Sequence, residues 1–75
     1  MPDSLPTEND TFLLNGRTEQ YLGQQSIADL LAKHDAAGPG VAVELNQQVV
    51  RHADHAKTRI EIGDQIEIVR LVGGG

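Results

Sequence analysis

Thr11-Phe12-Leu13-Leu14-Asn15-Gly16-Arg17-Thr18-Glu19-Gln20-Tyr21-Leu22 reads as two strands joined by a tight turn. Residues 11 to 15 alternate around Phe12 and Leu14, the two-residue period of a half-buried strand. Asn15-Gly16 is a strong short-range hairpin signal. Both residues accept the positive φ that a type I′ turn demands, and the twist of that turn matches the strands it joins. Arg17 to Leu22 returns as the second strand. Ahead of the hairpin, residues 1–10 carry Pro2, Pro6 and mostly polar side chains, which reads as a flexible lead.

Downstream, Gly23 to Gln25 is a connection and Ser26 is a good helix N-cap, with Asp29 three positions on to complete a capping box. Ile27, Leu30, Leu31 and His34 follow at i, i+3, i+4 and i+7, one face of a helix. Asp29 and Lys33 form an acid-before-base pair along its surface. The pattern ends by Asp35, and Gly38-Pro39-Gly40 breaks it. Val41, Val43 and Leu45 mark a short strand. Asn46-Gln47-Gln48 turns, Val49-Val50 starts a return, and Arg51 to Lys57 holds at most a short helical turn. Ile60 and Ile62 share the two-residue spacing that Ile66 and Ile68 resume after Gly63-Asp64, which puts all four on the core side. The last strand runs through Val69, Leu71 and Val72 into Gly73-Gly74-Gly75.

The fold class expected is α+β: a mixed sheet with one main helix packed across it, the economical way to bury a single aliphatic face. Seventy-five residues make one domain, and a chain of this size buries only about 60% of its unfolded surface. That leaves little room for both a core and a deep catalytic pocket, and favours a carrier or binding module. Phe12 and Tyr21 are the only aromatics, so the core must be aliphatic. The formal charge of −5 repels phosphate backbones and disfavours nucleic acid, while suiting basic protein partners. There is no cysteine, hence no disulfide scaffold, no thiolate zinc site and no thiol to carry sulfur. No apolar stretch approaches a membrane span. The polar start lacks the layout of a secretion signal, so the expected compartment is cytoplasmic.

Hairpin, crossover helix, then strands is the layout of the β-grasp, ubiquitin-like fold. Within it the sequence resembles the ThiS family of sulfur carriers. The likeness rests on Phe12-Leu13-Leu14-Asn15-Gly16, on Ser26-Ile27-Ala28-Asp29-Leu30-Leu31, and on Val41 to Arg51. It is most specific in Ile62-Gly63-Asp64-Gln65-Ile66-Glu67-Ile68-Val69 followed by Val72-Gly73-Gly74-Gly75. The resemblance implies a flexible lead at 1–10, a β-grasp domain at 11–72 and a flexible reactive tail at 73–75. It implies a carrier rather than an enzyme, with no cofactor bound and ATP used by the activating partner. That partner, related to ubiquitin-activating enzymes, would adenylate the Gly75 carboxylate. A sulfur donor would convert it to a thiocarboxylate, and thiazole synthase would take the sulfur for thiamine biosynthesis. Gly73 and Gly74 would enter both enzymes with it. The rival readings are the small subunit of molybdopterin synthase, whose family carries aromatics and prolines where this chain has Glu67 to Val72, and a ubiquitin-like protein modifier. A non-reactive interaction domain is a further alternative.

Glycines at the end also make chemical sense. A carboxylate must be activated before sulfur can replace an oxygen, and the reacting atoms must approach to roughly 3–3.5 Å. A terminal side chain would crowd that approach, and glycine has none. Val72 to Gly75 extended reach roughly 13–14 Å, enough to thread a channel while the body stays outside. Leu13, Val69 and Leu71 fall out of phase with the core, and we expect them to form an outer apolar patch that docks partners.

The remaining signals read as structural. His52 and His55, with Asp54 between, are read as a solvated polar loop, since no third metal ligand is evident. His34 suits the negative end of the helix dipole. Glu61, Asp64 and Glu67 read as surface charges beside the isoleucines, the lesser reading being that they meet basic residues on a partner. Gly38-Pro39-Gly40 lacks the Lys-Ser/Thr of a phosphate loop and precedes a strand.

Overall fold

The computed structural model describes residues 5–71. Met1 to Ser4 of the lead, and Val72 to Gly75 with the glycine tail, lie outside the described residues. Strands β1 (Thr11–Leu14) and β2 (Arg17–Gln20) pair antiparallel, with Leu14 opposite Arg17. Asn15 and Gly16 both take positive φ, 52° and 81°, the type I′ turn that the dipeptide promised. β2 is shorter than expected: Leu22 is exposed, and the Tyr21 N–H donates to the Asp10 carbonyl at 2.8 Å. Thr7 to Asp10 forms a turn beside it, with the Thr7 N–H on the Asp10 carboxylate and the Gln20 side chain on the Thr7 carbonyl.

Helix α1 (Ile27–Lys33) begins at the predicted capping box. The Asp29 N–H donates to the Ser26 hydroxyl at 3.0 Å, and the Ser26 N–H donates to the Asp29 carboxylate at 3.0 Å. The Ser26 backbone N–H, and after it the Ser26 side chain, hold the Asp29 carboxyl below the usual carboxylate range; Arg59 adds to the effect and desolvation opposes it. Ile27, Leu30 and Leu31 are buried, whereas His34 is the exposed C-cap. Asp35 then takes φ 55°. Its N–H reaches Ala32 O, and the Ala36 N–H reaches Leu31 O at 2.7 Å, the bond pair that closes a helix over a left-handed residue. Ala36 is buried with Leu31 in the same cluster.

Strands β3 (Val41–Leu45), β4 (Gln48–Val50) and β5 (Gln65–Arg70) complete one sheet in the order β2-β1-β5-β3-β4. β5 is central, parallel to β1 and antiparallel to β3. A turn asparagine holds it from each side. Asn15 Oδ1 accepts the Ile68 N–H at 2.8 Å, and Asn46 Oδ1 accepts the Gln65 N–H at 2.9 Å. Each side chain continues a ladder where the neighbouring strand turns away, so no inner N–H is orphaned there. One face of the sheet packs with the helix: Phe12, Leu14, Val43, Ile60 and Ile66 join Ile27, Leu30 and Leu31 in the core, with Ile68 partly buried against it. No helix among the described residues is long and apolar enough to cross a membrane.

Two expectations need correction. Ile62 is 55% exposed and does not share the core phase. Ile60 is held beside the helix start by its N–H on Gln25 O. The chain then turns at Ile62-Gly63, Gly63 at φ 87°, so the two-residue spacing spans a turn rather than a strand. His55 is not solvated but buried, 5% exposed. It follows a 3-10 turn, His52–Asp54, and its Nε2 lies 3.1 Å from the Val50 carbonyl. A carbonyl only accepts, so Nε2 carries the hydrogen.

Candidate functional site

β5 delivers the chain to its last described residue. There the Leu71 N–H donates to Gly40 O at 2.6 Å, and Arg70 Nη2 donates to Asp35 O at 3.0 Å. Gly40 sits at φ 81°, a conformation that glycine adopts freely. The break at Gly38-Pro39-Gly40 thus serves as the seat for the end of β5. The glycines assigned from sequence to the reaction, Gly73, Gly74 and Gly75, lie beyond this seat and outside the described residues.

The face of the sheet opposite the helix carries the candidate docking residues. Val69 and Leu71 are exposed, at 46% and 61%, and Leu13 is half-buried. All three point to the outer face, because Phe12 and Leu14 on either side of Leu13, and Ile66 and Ile68 on the alternate phase of β5, point inward. The register separates them, however. Leu13 lies opposite Gln65, and Val69 is four residues further along β5, about 13 Å at ~3.3 Å per residue. Val69 instead meets Ala42, its partner on β3. Val49, exposed on β4, lies on the same face opposite Glu44. Val69, Leu71 and Ala42 therefore gather at the C-terminal end of β5, with Leu13 at the other end. The sequence patch did not include Ala42, Val49 or Glu44. The signal that adds them is the β3–β5 register, which a single sequence does not display.

Other candidates fall into structural roles. Asp64 accepts the Glu61 N–H at 2.8 Å and the Asn46 side-chain amide at 3.1 Å, so it builds the turn before β5. His34 is exposed at the helix end. The rings of His52 and His55 lie 5.1 Å apart between centroids, tilted by 50°, along a hollow of about 200 Å³ lined also by Ala28, Leu31 and Gly38. A second, open hollow of about 450 Å³ lies between Tyr21, Gln24 and the segment from Arg59 to Ile62. Among the described residues, no group of three or more His, Asp or Glu side chains is placed to hold a metal. The chemistry that this arrangement supports is delivery: a rigid strand, a seated root and an open apolar face beside it.

Comparison with known proteins gives the same direction. The ThiS family matches residues 12–75. The sulfur carrier protein ThiS of Escherichia coli K12 is 32% identical over 63 residues, which is 84% of this chain and 96% of that protein. The thiazole synthase of Paramagnetospirillum magneticum is 30% identical over 63 residues, again 84% of this chain, but the chain spans only 19% of that protein's length. Among solved structures, the thiamine biosynthesis protein ThiS from Geobacter metallireducens shares the fold with a TM-score of 0.73 and 28% identity, over 87% of this chain and 99% of that one.

Proposed function

The chain belongs to the ThiS family, and from that premise we propose that it is a sulfur carrier of thiamine biosynthesis whose reactive group is the carboxyl of Gly75. The observation that carries this reading is that the family match runs through residue 75 and so takes in the glycines. In this reading an adenylating enzyme joins the carboxylate to the α-phosphate of ATP and releases pyrophosphate. Sulfide-level sulfur, the form the donor must deliver, then attacks the acyl carbon, the acyl–oxygen bond to AMP breaks, AMP leaves, and a thiocarboxylate remains. Thiazole synthase consumes the sulfur, and the chain itself holds no cofactor. The absence of cysteine fits sulfur held on the backbone terminus.

The fold supports the division of labour. Fixing each tail residue in a partner costs roughly 1–2 kcal/mol of conformational entropy. The seat at Gly40 fixes the root already, and the apolar outer face at Val69 and Leu71, with Leu13 further along, offers contacts to offset the rest. That a related segment forms part of a longer thiazole synthase in another organism supports the synthase as a partner. Use of ATP by the adenylating partner fits a cytoplasmic site.

Intact-mass spectrometry of the chain purified from its own cells tests the proposal. A fraction of molecules should be heavier by the exchange of one oxygen for one sulfur, and fragmentation should place the gain on Gly75. A chain lacking Gly75 should show no such gain and should fail to restore growth of a thiazole-requiring strain. Full rescue by the truncated chain would overturn the assignment.

A further inference from the structure

The β3–β5 register places Glu44 directly opposite Glu67. The bonds from Leu71 N–H to Gly40 O and from Asn46 N–H to Gln65 O bracket this pair. By alternation it is a hydrogen-bonded pair, with Cα atoms ~5.5 Å apart. Both side chains are on the outer face, Glu67 exposed and Glu44 half-buried. Like charges directly opposite each other on a sheet are destabilising. Among the described residues the one ion pair is Lys57 with Asp54, so no lysine or arginine among them forms an ion pair with either carboxylate. Arg51, which by continued register falls opposite Ala42 on this face, makes no ion pair with them.

Two ordinary explanations fail. Charges that guard a sheet against edge-to-edge pairing belong on edge strands, and the edges here are β2 and β4. Charges that serve solubility need not face each other, and a lysine at either position would serve as well without repulsion. What remains is the setting. Ala42 and Val69 lie on one side of the pair, Leu71 beyond them towards the tail, and Val49 beside Glu44 on β4.

We propose that this face is the seat for an arginine of a partner protein, a guanidinium that bridges Glu44 and Glu67 while its neighbouring aliphatic side chains cover Ala42, Val49, Val69 and Leu71. A guanidinium is planar, presents several donors in a fixed fork and is weakly hydrated, so it can serve two carboxylates at once against an apolar surround. A lysine ammonium, compact and strongly hydrated, fits the bridging role less well. The chain's formal charge of −5 steers a basic partner to it. The inference rests on the reading of this face as the docking surface of the carrier and names the chemistry of what docks.

The decisive probe is a short peptide amide, Leu-Arg-Leu, titrated into isotope-labelled full-length chain. Its neutral isostere with citrulline in place of arginine is the control. The arginine peptide should shift the backbone amides of Ala42, Glu44, Glu67 and Val69, and the citrulline peptide should not. The double variant Glu44→Gln/Glu67→Gln should lose those shifts, yet melt higher by ~1–6 °C because the repulsion is gone. Stability up and binding down is the signature of a site kept at the expense of the fold. Equal shifts with both peptides, or shifts retained in the double variant, would overturn the proposal.

A second arm separates this inference from the functional one. With the adenylating enzyme of the same organism, the double variant should raise KM for the carrier about tenfold, equivalent to ~1.4 kcal/mol, and leave kcat near wild type. The wild-type difference should shrink as salt screens the pair. Failure of the wild-type chain to be adenylated would count against the proposed function and leave the peptide titration to decide the seat. Normal KM in the double variant would count against the seat alone.

Discussion

β5 carries two different surfaces on alternate residues of one backbone. Ile66 is 1% exposed and packs with Phe12, Ile27, Leu30 and Val43. Its neighbour Glu67 points the other way, opposite a second carboxylate, and Val69 and Leu71 follow with much of their apolar surface in water. The inner row is satisfied within the chain: apolar against apolar, under a capped helix. The outer row is not, since it pairs like charges and exposes aliphatics. Both rows share the same ladders, so the difference is not one of backbone order. It shows that the inner row holds the fold together, whereas the outer row, which the fold does not use, is the one we propose for contacts with another molecule.

Substitution on the two rows should break the strand into its two roles. Ile66→Ala removes buried methyl groups from the centre of the core and should cost about 2–5 kcal/mol. That is a large part of the total stability of a domain this small, and urea unfolding should show it as a collapse of the midpoint. Leu71→Glu should change stability by no more than about 0.5 kcal/mol, while sharply slowing adenylation by the activating enzyme. A Leu71→Glu chain that folds and is adenylated at the normal rate would mean that the outer row is idle, and the contrast would fail.

The helix that covers the inner row gives a smaller effect with a defined pH sign. Ser26→Ala removes the N-cap acceptor and should cost about 1 kcal/mol. Its partner Asp29 has a carboxyl held below the usual range, chiefly by the Ser26 backbone and side-chain bonds. Because the folded value lies below the unfolded one, near ~4, the carboxylate stabilises the fold fully above that pH. The contribution is lost as pH falls through the lower folded value. Urea midpoints taken from neutral pH downward should therefore fall less steeply in acid for Asp29→Asn than for the wild type. The outer-row variant Leu71→Glu should keep the Asp29 contribution intact.

The parts of this fold that were legible in sequence are those whose chemistry is local. Asn15-Gly16 announces its turn because positive φ is a property of the two residues themselves. Ser26 and Asp29 announce the helix start because the capping box spans one turn. Periodicity also told which side of β5 Ile66 and Val69 face. It did not tell which strand lies alongside, or at what register. For that reason Leu13 was grouped with Val69 although Gln65 is its neighbour, and the opposition of Glu44 and Glu67 was invisible. Ile62 was misplaced because a spacing of two does not reveal a chain that has already turned. His55 was misplaced because a buried histidine tied to one carbonyl has no pattern at all. The proposed reactive terminus rests on resemblance and on the chemistry of an unhindered carboxyl, both independent of packing.

The two hairpins offer the finest comparison. The first turns at Asn15-Gly16, and the second turns at Asn46-Gln47 with φ of 52° and 71°. Both use the asparagine side chain to accept an N–H of β5, so that residue has a reason beyond its dihedral. Gln47 has none: it is exposed and sits in a left-handed conformation that costs an L-residue roughly 1–2 kcal/mol. Glycine would remove that strain but would lose about 0.5–1 kcal/mol through the greater freedom of its unfolded chain. Gln47→Gly should therefore stabilise the fold by about 0.5 kcal/mol, visible as a small rise in the urea midpoint at unchanged m-value. Because the turn joins β3 to β4 and thereby positions Glu44 and Val49, the same substitution should leave binding at the outer face unchanged. A loss of partner affinity would show instead that the strain in this turn helps to set that face.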